Sequence, residues 1–96
     1  MATLKLYYVS IGRAVAYDRY SDFVVCAESE EEARKTHPNG TAFLDETSSR
    51  WMTGSREEVH HEWVKASKIN TLKISLIGVA VPSQIKGVIC ASYHAG

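Results

Sequence analysis

With 96 residues, the chain has room for one domain around one small core, and we expect residues 1–96 to form a single domain. Its hydrophobic share of 45% and its charged share of 23% are ordinary for a globular protein. Eleven basic and eleven acidic side chains give a formal net charge of zero, which argues against a strongly acidic DNA mimic and against a general nucleic-acid binder, because the latter displaces counterions with a basic excess.

Two strands are predicted near the N-terminus, on either side of a polar loop. Residues 3–11 (TLKLYYVSI) alternate with a period of two and place Tyr8 and Val9 on opposite sides, which is typical of a strand. A loop over residues 12–21 follows. Residues 22–27 (DFVVCA) are too short and too apolar for an amphipathic helix, so they predict a strand that is buried on both faces and central in its sheet.

A short, mostly solvated helix is predicted directly after this strand. Ser29 and Glu32 have the spacing of a capping box, which marks the start of a helix. Glutamates at its first positions and the basic Arg34 and Lys35 near its end match the helix dipole. The segment at 38–40 (PNG) then ends the helix.

The middle of the chain carries the weakest pattern. Residues 41–55 have no clean period and predict a long loop, a kind of segment that is often functional in a compact domain. Ser55 and Glu58 repeat the capping-box spacing. We therefore expect a second short helix over about residues 56–62. The following EWVKAS could extend this helix or begin a strand, and we favour a helix that ends near Val64.

Two more strands are predicted in the C-terminal part. Residues 71–81 alternate between apolar and polar side chains, and residues 86–95 form the last strand, with a turn at 82–84 and antiparallel pairing between the two. The predicted order is β-β-α-α-β-β. It indicates an α+β fold, in which a four-stranded, mainly antiparallel sheet carries one or two short helices on one face.

A sheet of this kind has edges that can pair with another chain. Zero net charge leaves self-association unopposed by charge repulsion. We therefore expect a homo-oligomer, with a dimer through a sheet edge as a reasonable form.

The sequence also carries signals of its compartment. The N-terminal MATLKLYYVSIG alternates and includes Lys5, so it lacks the continuous apolar region of a signal peptide, and no apolar stretch is long enough to span a bilayer. Cys26 and Cys90 lie inside apolar runs, and we expect both to be small buried hydrophobes in a reducing cytosol. The expected location is the cytoplasm, with no membrane association.

Motifs for metal binding, cofactor binding and catalysis are missing from the sequence. His60, His61 and Glu62 lack the two histidines four residues apart of a zinc protease, and Glu57 with His61 has the spacing of an ordinary solvated pair on a helix. The chain has no G-x-x-x-x-G-K-[ST], no G-x-G-x-x-G and no G-x-S-x-G. We therefore expect no metal, no cofactor and no enzymatic activity.

Arginine and aromatic residues are concentrated in the loops and at the strand ends. Guanidinium groups match phosphate oxygens and flat rings stack on bases, so these residues predict a pocket for a small nucleotide. The predicted ligand-binding residues are Arg13, Tyr17, Arg19, Tyr20, Trp51, Trp63, Tyr93 and His94. The alternative for both tryptophans is a place in the core, and the tyrosines of a small sheet often pack on its face.

Two segments carry a family resemblance. Residues 17–38, YDRYSDFVVCAESEEEARKTHP, resemble a segment of small uncharacterised proteins encoded by bacteriophages and prophages. The ending, LIGVAV followed by GVICASYHAG, is similar to the end of the same proteins. By setting and size this family resembles compact immune-evasion proteins, which bind the cyclic nucleotide or cyclic-ADP-ribose signals of bacterial Thoeris and CBASS defence without destroying them.

The resemblance implies a phage-encoded protein of the bacterial cytoplasm that sequesters a small nucleotide signalling ligand and binds no nucleic-acid polymer. Two alternatives stay open. One is a small inhibitor that occupies a host enzyme through a sheet edge or an apolar loop. The other is an enzyme that cleaves the signal, with His60, His61 or His94 as its acid or base.

Overall fold

Six short strands, one short α-helix and one 3-10 helix make up the part of the chain that the structure describes. A computed structural model describes residues 4–12, 19–59, 63–81 and 85–94, with side chains as far as Ser92. The elements are β1 (Lys5–Ser10), β2 (Arg19–Ala27), α1 (Glu30–Arg34), β3 (Phe43–Asp45), β4 (Arg50–Met52), the 3-10 helix (Ala66–Thr71), β5 (Lys73–Val79) and β6 (Gly87–His94). A four-stranded antiparallel sheet has the order β5-β1-β2-β6, and β3 and β4 form a second sheet. This is a small α+β architecture, as predicted in outline, and it consists mostly of strand.

The centre of the large sheet is an antiparallel hairpin of β1 and β2. Its register pairs Tyr7 with Val25 and Val9 with Phe23, and all four side chains are buried on the same face. The following residue of β2, Cys26, is also buried, although a strand directs it to the opposite face. The structure therefore confirms the prediction that β2 is an interior strand with buried residues on both faces.

The first helix begins where the capping signal placed it. The Ser29 hydroxyl accepts a hydrogen bond from the Glu32 N–H at 3.1 Å, and the Glu32 carboxylate accepts one from the Glu28 N–H at 3.2 Å. Ala33 is the one residue of α1 that is fully buried. At the end of the helix, the Arg34 guanidinium donates to the Ile69 carbonyl at 2.9 Å. This bond ties α1 to the 3-10 helix.

The middle of the chain differs from its prediction. Residues 41–55 contain the β3–β4 hairpin instead of a continuous loop, with Leu44 paired to Trp51. The predicted helix over 56–62 is wrong for its described part, because Arg56 has a φ of 66° and Glu58 bridges to Met52 as a strand would. A left-handed backbone at this position cannot continue a right-handed helix.

The predicted order and the predicted last pairing are also corrected. The extra hairpin changes the order to β-β-α-β-β-β-β, with the 3-10 helix before β5. β5 and β6 do not pair with each other, since β5 pairs with β1 and β6 pairs with β2. The physical reason is that the central hairpin leaves one backbone edge open on each side, and each late strand satisfies one of them. The predicted turn at 82–84 lies outside the described residues.

The core lies between the large sheet, α1 and the segment from β4 to the 3-10 helix. Its buried members are Tyr7, Val9, Phe23, Val25, Ala27, Ala33, Trp51, Trp63, Val64, Ala66 and Leu72. The expected burial is confirmed for Cys26 and is wrong for Cys90, which is exposed. Cys90 lies on edge strand β6, opposite Val24, on the sheet face that the helices do not cover.

Among the described residues, no helix is long and apolar enough to cross a bilayer.

His37 is a fully buried histidine that packs beside the core. It is 1% exposed and packs edge-on against Trp51, with ring centroids 5.2 Å apart, and against Tyr20 at 6.3 Å. Its Nδ1 accepts a hydrogen bond from the Asn39 N–H at 3.1 Å. Burial lowers the pKa of His37 from 6.5 to about 4, because the charged imidazolium would lose its hydration.

This pKa predicts a loss of stability in mild acid. Below pH 6.5 the unfolded chain protonates His37 while the folded chain does not, so the free energy of unfolding falls between pH 6.5 and about 4. The full loss from this residue is on the order of 3 kcal/mol. Urea unfolding at several pH values should show this slope, and His37→Gln should flatten it. Equal slopes for both proteins would contradict the prediction.

Candidate functional site

A groove lined by cationic side chains lies between the start of β2 and the 3-10 helix. The residues that line it are Arg19, Val64, Lys65, Lys68 and Thr71, and its volume is about 440 Å³. We call it the basic groove. Its size falls within the range of small-molecule sites.

The 3-10 helix positions most of the groove. Such a helix has three residues per turn, so side chains three apart lie on the same side. Lys65, Lys68 and Thr71 follow this spacing and all line the groove. The Lys68 N–H donates to the Lys65 carbonyl at 2.8 Å, and the Thr71 hydroxyl donates to the Lys68 carbonyl at 2.7 Å.

The opposite side of the same helix fixes it to the core. Ala66, Ile69 and Leu72 repeat the three-residue spacing, and they are buried or half-buried against the sheet. The polar series and the apolar series are therefore one residue out of phase. Because of this offset, the apolar series holds the helix against the core while Lys65 and Lys68 point outward.

Arg19 reaches the groove from the first residue of β2. Its Nη2 donates to the Trp63 carbonyl oxygen at 3.1 Å. A guanidinium group has five N–H donors, so this bond orients the group and leaves other donors for a ligand. The bond therefore fixes one wall of the groove to the chain that forms the other.

The groove is electropositive. Among its described lining residues, three are cations and none is a carboxylate. Within the described part of the chain, Arg19, Lys65 and Lys68 also form no ion pairs, whereas Lys35 lies 2.6 Å from Glu46 and Lys86 lies 3.0 Å from Glu28. Uncompensated positive charge in a concave site attracts anions.

A second cavity of about 500 Å³ adjoins the basic groove and shares Val64 and Lys65 with it. We call it the serine cavity, because Ser48, Ser49 and Ser67 are among its lining residues. Its lining also includes the ion pair between Arg50 and Glu58, whose charged atoms are 3.5 Å apart. Lys65 therefore lies at the junction of a cationic site and a mixed polar site.

The structure places the predicted ligand-binding residues in different environments. Arg19 lines the basic groove, while Tyr20 is half-buried against the core. Trp51 is 3% exposed and Trp63 is 2% exposed, so both indoles lie mostly in the core. Trp51 also lines the serine cavity.

The remaining predicted ligand residues are Arg13, Tyr17, Tyr93 and His94. Arg13 and Tyr17 lie outside the described residues. The strand register places Tyr93 opposite Tyr20 and His94 opposite Arg19, but their side chains are not described.

Sequence reasoning missed Lys65, Lys68 and Thr71. The segment KASKINTL does contain a signal, because its polar and apolar residues each repeat every three positions. This is the period of a 3-10 helix, and it is invisible to a search for periods of two or 3.6.

Metal ligands are not grouped in the described residues. No cluster of three or more histidine, cysteine, aspartate or glutamate side chains occurs among them.

No known family model, curated protein or solved structure matches the chain. Any function must therefore be inferred from the basic groove itself.

Two tryptophans beside the groove differ in their hydrogen bonding. This difference predicts unequal losses of stability when each is replaced by phenylalanine. The Trp51 indole N–H donates to the Val64 carbonyl at 2.8 Å, whereas the buried indole nitrogen of Trp63 has no hydrogen-bond partner in the described structure. Trp51→Phe should therefore cost about 1–3 kcal/mol more in the free energy of unfolding than Trp63→Phe, since it leaves a buried carbonyl unpaired. Urea denaturation measures both. Equal losses would show that the bond to Val64 contributes nothing.

Proposed function

We propose that this protein binds a small phosphate-bearing nucleotide of the cyclic nucleotide or cyclic-ADP-ribose type and sequesters it without cleaving it. The observation that carries the proposal is the basic groove of about 440 Å³, which is lined by three cations that form no ion pair with a described residue and by no described acidic residue. A site of this charge and size favours a compact anion over an extended polymer or a neutral metabolite.

The cations differ in what they contribute. Arg19 offers a planar fork that can donate two parallel hydrogen bonds to phosphate oxygens, and its bond to the Trp63 carbonyl fixes the direction of that fork. Lys65 and Lys68 act as point charges on flexible stems. The Thr71 hydroxyl can accept from a ligand group while it donates to the Lys68 carbonyl.

The serine cavity supports a ligand with two parts. Phosphate groups would occupy the basic groove, and a nucleoside would extend past Lys65 into the adjoining cavity. There, serine hydroxyls and the Glu58 carboxylate offer hydrogen-bond partners for hydroxyl and amino groups. Cyclic dinucleotides and ADP-ribose derivatives both combine phosphates with nucleosides in this way.

Sequestration is favoured over cleavage by the chemistry of the groove. Its described lining consists of cations, a hydroxyl and an apolar side chain, and none of these is an ordinary general base at neutral pH. The phage setting comes from the family resemblance and supports a role in escaping a nucleotide-based defence. A bound signal is removed from the host's receptor even when it stays intact.

A binding experiment with a matched control tests the proposal. The groove variant, Lys65→Ala with Lys68→Ala, removes two positive charges from the groove. The control, Lys35→Ala with Lys86→Ala, removes two positive charges that form ion pairs with Glu46 and Glu28. Isothermal titration with cyclic mononucleotides, cyclic dinucleotides and cyclic ADP-ribose should identify a ligand for the wild type. The groove variant should lose about tenfold in affinity per lysine, and the control should not.

The outcomes separate the candidate functions. Affinity for the ligand should fall with rising salt, because the attraction is electrostatic. Heat denaturation of the complex should release the ligand unchanged, and a recovered product would instead favour the enzyme. Equal affinities for the groove variant and the control would remove the basic groove as the site. No binding to any of these nucleotides would favour the inhibitor of a host enzyme.

A further inference from the structure

Strand β5 forms an exposed and apolar edge of the large sheet. It is the terminal strand in the order β5-β1-β2-β6, so only one side of its backbone is paired within the described chain. Leu76 is 59% exposed, Ile77 is 55% exposed and Val79 is 65% exposed. Val81, just beyond the strand, is exposed as well. Unpaired backbone groups beside apolar side chains are a template for another strand.

Few protective devices occur along this edge. Natural edge strands carry charges, prolines or bulges that prevent pairing. β5 has a bulge at Ile77, which lacks a partner in β1, and a lysine at its first position, Lys73. Residues 74–79 contain no charged residue and no proline. Along residues 74–79 the bulge at Ile77 is therefore the one protective device of this kind.

We propose that two copies of this chain pair through β5 in an antiparallel arrangement about a two-fold axis. This inference concerns a surface outside the basic groove and does not depend on the proposed ligand. The charge pattern favours a second copy as the occupant. With the axis near Leu76, Lys73 of one copy lies opposite the partner's Val79, and the two Lys73 residues are about 20 Å apart. That separation exceeds the Debye length of about 8 Å at physiological salt, so the lysines do not oppose pairing.

The symmetry of the pairing closes the β5 interface at two copies. Antiparallel pairing of β5 with itself is isologous and uses up the exposed edge of both copies. Pairing of β5 with β6 of another copy would be heterologous and would generate open filaments. Among its described side chains, the β6 edge exposes one large apolar residue, Ile89, beside Cys90 and Ser92, whereas β5 exposes three. Lys86, beside the first residue of β6, is paired with Glu28. Self-pairing of β5 therefore gives the closed arrangement.

Sedimentation of single-charge variants tests the interface. The wild type should shift from monomer to dimer between low micromolar and several hundred micromolar concentrations. Ile77→Lys places a charge in the middle of the edge and should raise the dissociation constant by about tenfold or more. Phe43→Lys is the matched control, since it adds the same charge at another exposed apolar residue, on β3. The control should leave the dissociation constant unchanged.

Further measurements check that each variant is folded and test the interface in the wild type. Circular dichroism and melting temperature establish that each variant is folded, and hydrogen exchange on the wild type gives a test that needs no variant. Amides of β5 should become more protected as the protein concentration rises. A wild type that stays monomeric throughout the range overturns the proposal. So does an Ile77→Lys protein that dimerises normally, or an Ile89→Lys protein, altered on the β6 edge, that alone fails to dimerise.

Discussion

The burial of Trp63 against Phe23 is the contact on which the rest of the arrangement depends. The two rings meet edge-on with centroids 5.4 Å apart, and both side chains are almost completely buried. This contact fixes the chain just before the 3-10 helix, so the Trp63 carbonyl meets Arg19 and the Val64 carbonyl meets the Trp51 indole. Three segments distant in sequence are thereby fixed around one groove. The backbone at Trp63 and Val64 therefore belongs both to the core and to the candidate site.

The 3-10 helix shows how a short segment can serve both purposes. A spacing of three places one apolar series on the core and one polar series on the groove, within the eight residues from Lys65 to Leu72. In an α-helix, side chains three apart are offset by about 60° around the axis, whereas in a 3-10 helix they lie directly above one another. The tight helix gives a fixed cationic row at little cost in chain length.

The sequence predicted those parts of the fold whose signals are local. The alternation of β1, the apolar run of β2 and the Ser29 cap each predicted an element that the structure contains. The three-residue strands β3 and β4 are too short to show a period, and strand pairing is decided by distant segments, so both were missed. Arg19 was found by its chemistry. The lysines of the groove were missed because their three-residue period does not appear in a search for periods of two or 3.6.

The positions of β5 and β6 in the sheet also constrain how the chain can fold. The central hairpin forms between neighbours in sequence, but its outer edges are completed by strands from the far end, and Lys5 pairs with Val79. Contacts of such long sequence separation carry a large loop-closure entropy and slow the search for the native state. Until the late strands arrive, both sides of the hairpin present open backbone to other chains. Temperature and concentration during refolding should therefore govern the yield more strongly than they would for a helical protein of this size.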